Sequence, residues 1–174
     1  MQALDFWKVI IMDKANRLES FLVMLEESGI RFCVIGGQGV NAYVDPLVSL
    51  DLDLAVATAQ AEQIESLLAA QYKVIRFPHS LNIELPDSDL RIQIQTDARY
   101  GEFAERASRR EVLGLDMPVA RLEDILQGKI WAIQDPDRRA SKRQKDLADV
   151  ARILEAYPKL KALVPENILS RLVA

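Results

Sequence analysis

The stretch FCVIGGQGVNAYVDPLVSLDLDLAV, Phe32 to Val56, carries two unusual features close together. A glycine pair, Gly36 and Gly37, ends one apolar run, and two aspartates, Asp51 and Asp53, interrupt a second. In LDLDLAV the leucines at 50, 52 and 54 fall on one face of an extended chain, and the aspartates fall on the other. Strand rise puts the two aspartate alpha carbons roughly 6.5–7 Å apart. Like charges this close repel unless a cation or water screens them. Aspartate is depleted in strands, so a face of merely solvated acids is the weaker reading. A hard divalent cation bound by oxygen, Mg²⁺ or Mn²⁺, is the natural partner.

The glycines extend this reading. A strand over Arg31–Ile35, a Gly36–Gly37 turn and a short helix in QGVNAYV form one unit, broken at Asp45–Pro46. Glycine lets an anion approach the backbone, and the amides that open a helix favour negative charge. Fourteen positions separate Gly37 from Asp51. A phosphate cradle followed by a metal pair on the next strand suits a nucleoside triphosphate carried with Mg²⁺. Neither a Walker A loop nor a GxGxxG fingerprint is present.

Outward from this core, residues about 4–28 show helical spacing (Phe21, Leu22, Leu25) and stop at Gly29. Thr58 is placed to cap a helix over Ala59–Ala70. YKVIRF reads as a strand, and two alternating segments flank PDSD as a hairpin. REVLG and MPVA add short strands. From Leu122 the pattern is helical: RLEDILQGKIWAIQ, then SKRQKDLADVARILEAY, then ENILSRLV behind Pro165. The expected fold class is α/β (α+β): a mixed sheet flanked by helices, with a helical C-terminal segment. One domain over 1–174 is expected, with the sheet within about 30–120 and the helical segment within about 121–174.

Composition narrows the function classes. The formal charge is −4 and the pI about 5.1, which argues against a surface that is wholly a nucleic-acid footprint. Cys33 is the only cysteine and His79 the only histidine, so no intrachain disulfide and no Cys/His zinc cluster can form. A cytoplasmic setting is expected from the single cysteine, with no signal peptide and no membrane span. Trp7 and Trp131 are expected in the core, and His79 is expected on a surface turn.

The apolar strand, GG, short helix and DLD together resemble the polymerase β-like nucleotidyltransferase superfamily. VARLEDILQGKIWAIQ…RQKDLADVARIL is similar to the matching segment of type IV toxin and abortive-infection nucleotidyltransferases. In that segment a lysine on one helix precedes a basic-Asp-x-x-Asp pattern on the next. The resemblance spans about Arg31–Leu154. It implies Mg-dependent transfer of a nucleotidyl group from an NTP to a hydroxyl of RNA, protein or a small molecule. Asp51 and Asp53 would bind the metal. Gly36, Gly37, Gln38 and Lys129 would contact the nucleotide. Asp146 would assist near the nucleophile or hold a basic partner, with Asp149 three residues on along the same helical face.

Two departures stand out. Where the superfamily carries a third carboxylate on a neighbouring strand, this chain has LRIQIQ, so the position falls on Gln93 or Gln95. A neutral amide cannot accept a proton as a carboxylate does. Asp97 or Glu84 is the alternative acid; otherwise the site transfers without a third acid, or it binds nucleotide as a degenerate module or toxin–antitoxin partner. Gln38 stands where many members place Ser or Thr. Finally, Arg138, Arg139, Lys142, Arg143 and Lys145 make a basic stretch suited to NTP or RNA phosphates, with RASRR at 106–110 a weaker patch. An antitoxin partner or a homo-oligomer is also expected.

Overall fold

The computed structural model of the chain describes residues 16–172. The start of the helix expected from residue 4, and Trp7 with it, lie outside the described residues. A helix, α1, runs over residues 16–27 and buries Leu18, Phe21, Leu22 and Leu25, the i, i+3, i+4, i+7 stripe of a core-facing helix.

Seven strands form one mixed sheet. They are β1 (Phe32–Ile35), β2 (Asp51–Val56), β3 (Lys73–Phe77), β4 (Ser80–Glu84), β5 (Arg91–Gln95), β6 (Ser108–Val112) and β7 (Leu115–Val119). Their spatial order is β3-β4-β5-β2-β1-β7-β6. Hairpins build each wing: β3–β4, β4–β5 and β6–β7 are antiparallel neighbours in sequence. The turn before β5 uses Asp87 at φ 50°, and the β6–β7 turn uses Leu113 and Gly114 at φ 53° and 78°. β2 sits at the centre, antiparallel to β1 and parallel to β5.

The alternation in LDLDLAV holds in three dimensions. Leu52 and Leu54 are fully buried, whereas Asp51 and Asp53 are only partly covered. Leu50 precedes the strand and is exposed. Cys33, opposite Ala55 on β1, is sealed from solvent.

The helices after β1 are α2 (Gly36–Asn41), α3 (Ala61–Ala69), α4 (Leu122–Gln134), α5 (Ala140–Ala156) and α6 (Glu166–Leu169). Several boundaries differ from those expected. Gly36 and Gly37 are not a separate turn; they form the first residues of α2, which ends at Asn41. Thr58 caps no helix: it opens a short 3₁₀ turn, and its hydroxyl fills the space under Gly101. The last helix stops at Leu169, with Pro165 just before its first residue.

The α2–β2 connection is stapled to α2 by two amides. Asn41 Nδ2 donates to the Leu47 carbonyl at 2.7 Å, and Leu47 N donates back to Asn41 Oδ1 at 3.0 Å. Gln38 Nε2 donates to the Ser49 carbonyl at 3.0 Å. These bonds satisfy backbone groups of a loop that lacks a ladder, and they fix where β2 begins. α4 crosses close over α2, because a Cβ on Gly39 would come within 3.0 Å of Ile125 Cδ1.

Candidate functional site

Asp53 forms the floor of a cavity lined by Gly36, Gln93, Tyr100, Gly128 and Lys129. Gly36 makes room for it. Its φ is +63°, and a Cβ there would stand 2.2 Å from Asp53 Oδ2. Glycine therefore serves twice at this position, for a left-handed backbone and for close approach. Gly36→Ala is expected to cost about 1–3 kcal/mol and to displace the Asp53 carboxylate. A thermal melt reads the first effect. A melting temperature equal to that of the parent protein would show that neither constraint holds.

Burial pushes the Asp53 carboxyl above the usual carboxylate range; Lys129 pulls the other way, and Asp51 reinforces the rise. Asp51 lies beside it at the more open end of β2, 2.7 Å from Arg91 Nε and 3.6 Å from Lys142 Nζ. The nearby aspartates 124, 146 and 149 are likewise matched by Arg106, Lys129, Arg138 or Arg152. Among the described residues Asp53 has no ion pair of this kind.

On the far wall, α4 and α5 deliver a charge cluster. Lys142, Asp146 and Asp149 recur at i, i+4 and i+7 on α5 and so share one face. Asp146 and Asp149 are buried, as is Lys129 on α4. Lys129 Nζ donates to Asp146 Oδ1 at 2.9 Å and stands 2.7 Å from Asp149 Oδ2. Burial works to lower the Lys129 pKa, but Asp149 and Asp146 outweigh it and hold the ammonium above its ordinary value. Asp146 Oδ2 takes Arg138 Nε at 2.9 Å, so this acid spans two cations. Arg152 ties Asp149 to Asn41 Oδ1 and the Asp45 carbonyl, linking the cluster to the loop that places β2.

The fold brings together Gly36, Asp51, Asp53, Gln93, Lys129 and Asp146. Gln93, one of the two positions expected for a third acid, pairs in register with Asp53 on the neighbouring parallel strand. Its Nε2 donates to Ser80 Oγ at 3.1 Å. Gln95 also lines the cavity. The alternative acids stand further out. Asp97 accepts from Arg99 N at 2.9 Å and pairs with Arg99 Nε at 3.2 Å, while Glu84 pairs with Lys73 at 2.9 Å. Gln38 is apart too: it is buried, with its amide engaged by Ser49 and Asn41. Gly37 has open space beside it. Trp131 is half-buried, stacked by Phe103 and covered by Arg99 at 5.0 Å. His79 is exposed, as expected.

The basic stretch divides by role. Arg138 belongs to Asp146, and Arg143 donates to the carbonyls of Asp135 and Arg138. Lys142 reaches Asp51, and Arg139 and Lys145 are exposed. Nothing in the sequence assigned a role to Arg91. Its signal was its place on the polar face of β5, and its meaning depended on the β2–β5 register that sets it beside Asp51.

The residues fit a single divalent cation. They offer hard carboxylate oxygens from Asp51 and from Asp53, which has no ion pair among the described residues, and Mg²⁺ commonly takes one or two protein carboxylates plus substrate phosphates. Among the described residues no set of three or more His, Cys, Asp or Glu is grouped for a metal. The remaining ligands would therefore come from substrate and water. No described helix is long and apolar enough to cross a membrane.

A family model described as the nucleotidyl transferase AbiEii toxin of type IV toxin–antitoxin systems matches residues 39–173, a span that includes Asp51, Asp53, Lys129 and Asp146. Among solved structures, the antibiotic-resistance factor ANT(2'')-Ia is 15% identical, with a TM-score of 0.60 over 92% of this chain and 93% of that one. The lincosamide antibiotic adenylyltransferase LnuA is 14% identical, at TM-score 0.51 over 79% and 96%. A structure from Thermotoga maritima, described as a putative nucleotidyltransferase, is 16% identical, at TM-score 0.51 over 86% and 96%. At these identities the likeness is one of fold, the polymerase β-like nucleotidyltransferase fold. No curated protein sequence matches the chain significantly.

Proposed function

This chain belongs to the AbiEii nucleotidyl transferase toxin family, and from that premise we propose that it binds a nucleoside triphosphate with Mg²⁺ or Mn²⁺ at Asp51 and Asp53 and transfers the nucleotidyl group to a hydroxyl. The observation that carries this is Asp53: a carboxylate with its pKa raised by burial, set against a glycine with no room for a side chain, and lacking the cation its neighbours have.

The bound metal would supply charge neutralisation on the phosphoryl oxygens. The chain supplies position. Asp51 and Asp53 would hold that ion, and with it the nucleotide's phosphates. Gly37 keeps the backbone bare where phosphate oxygens approach, and Gly36 makes room for Asp53. Lys129, Asp146 and Asp149 form a buried tie between α4 and α5 that fixes the far wall. Of the two roles expected for Asp146, holding a basic partner is the one its contacts support. The acceptor hydroxyl attacks the α-phosphorus, its proton leaves to solvent or to a carboxylate, and pyrophosphate departs. The acceptor is RNA, protein or a small molecule, and an antitoxin partner follows from the family.

Gln93 favours a second reading, a nucleotide-binding module with little turnover, because an amide stands beside Asp53 in place of a proton acceptor. Thermal unfolding with MgATP, MgGTP, MgCTP and MgUTP tests both readings. One nucleotide is expected to raise the melting temperature of the parent chain and to leave Asp51→Asn/Asp53→Asn unmoved. No shift with any of the four would end the nucleotide reading. A shift without label transfer to RNA or protein would select the binding module.

A further inference from the structure

We propose that Arg91 and Lys142 are the berth for the two outer phosphates of the nucleotide, and that without nucleotide they act as placeholders for the metal on Asp51. The inference rests on the nucleotide reading above. It begins from Lys129, the lysine expected to approach the phosphates. That ammonium is only 7% exposed and lies within 2.9 Å of both Asp146 and Asp149. A cation shared by two buried carboxylates has no net charge to offer a phosphate, and turning it outward would strip both acids of their partner.

Arg91 and Lys142 have the opposite character. Their side chains are 72% and 42% exposed, and they reach Asp51 from two sides, one near each oxygen. They line an open trench over the polar face of the sheet, together with Asp51, Asp53, Asn82 and Gln93. Glu84, which also lines the trench, is paired to Lys73 at 2.9 Å. The guanidinium fork suits bidentate contact with phosphate oxygens, and a lysine on a flexible stem adds a point charge.

The charges balance as an exchange. In the free protein Asp51 faces both cations and Asp53 faces neither. Asp51 and Asp53 would hold the divalent ion that accompanies the nucleotide, and its charge would free Arg91 and Lys142 from Asp51. Those two charges then meet the pyrophosphate end of the nucleotide, where negative charge accumulates as the bond to the α-phosphorus breaks. Arg91 and Lys142 thus oppose binding of the metal alone and favour binding of metal with phosphate.

This opposition is measurable. Mn²⁺ binding is followed by the resonance of free Mn²⁺. Binding of Mg-pyrophosphate, the four MgNTPs and the corresponding nucleosides is followed by calorimetry. The proteins are the parent chain, Arg91→Ala, Lys142→Ala and, as a control at an exposed lysine outside the site, Lys159→Ala. Arg91→Ala is expected to bind Mn²⁺ alone several-fold more tightly and to bind pyrophosphate and nucleotide about tenfold more weakly, the scale of one charge-assisted hydrogen bond. Lys142→Ala should show the same signs with smaller size, and Lys159→Ala should match the parent. If the parent binds a MgNTP but Arg91→Ala and Lys142→Ala bind pyrophosphate and nucleotide as it does, the berth is elsewhere and the nucleotide reading stands. If the variants lose Mn²⁺ and phosphate affinity together, the residues are structural and the exchange is wrong. If the parent binds none of the four nucleotides, the nucleotide reading falls and this inference falls with it.

Discussion

Asp53→Asn is expected to lower nucleotidyl transfer by about 10²–10³-fold, the scale on which single preorganised charge-stabilising groups act, and at the same time to raise the melting temperature of the metal-free protein. The two effects share one cause. Burial of Asp53 disfavours its charge, and Asp51 adds to the repulsion. Its folded-state pKa is raised above that of the unfolded chain, so the folded state keeps this proton to higher pH. Stability therefore falls as pH rises from the ordinary aspartate range through the raised value. In EDTA, a pH series of thermal melts should show that acid-side fall in the parent and its loss in Asp53→Asn. With Mg²⁺ and nucleotide present the order should reverse, because the ion binds only the carboxylate form. A variant that is less stable than the parent in EDTA, and equally active, would remove Asp53 from the site.

The largest loss of stability is expected from Lys129→Met. The substitution keeps the bulk of the side chain but leaves Asp146 and Asp149 buried on one helical face without their shared cation. Removing one partner from a buried ion pair costs about 3–5 kcal/mol, which for a chain of this size lowers the melting temperature by about 6–20 °C. Asp149→Asn should cost less, since Lys129 keeps Asp146 and only Arg152 loses its carboxylate. The comparison bears on activity as well. If Lys129 holds the wall, as its two buried partners imply, the fall in transfer by Lys129→Met should track the fall in folded protein. A melting shift under about 3 °C with activity lost would instead make Lys129 a direct phosphate ligand.

The parts of this molecule that could be read from sequence are those with local signatures. Alternation in LDLDLAV gave the strand, its buried leucines and the shared face of Asp51 and Asp53. The 3.6-residue pattern gave α4 and α5, and the resemblance carried Lys129, Asp146 and the polymerase β-like fold, which the family and structural likenesses support. The parts that could not be read depend on pairings between distant segments. Nothing in LRIQIQ says that β5 runs parallel to β2, and only that register sets Gln93 beside Asp53 and Arg91 beside Asp51. The basic stretch looked uniform, yet the α4–α5 crossing sends Arg138 inward to Asp146 and Lys142 toward Asp51. Gln38 had a sound chemical case as a phosphate donor, but the Ser49 carbonyl, eleven residues on, claims its amide.

Cys33 lies at the middle of β1, flanked by β2 and β7, and its thiol is pushed up to about 12 by burial, with the Asp124 charge adding to the rise. The nucleophilic form of this sulfur is therefore almost absent in the native state. Alkylating or oxidising agents can reach it only when the central strands part. Because this is the chain's sole thiol, its covalent modification records rupture of the sheet's centre, separately from any loosening at the wings. The protein thus carries a silent marker of its own unfolding at the strand that leads into the site.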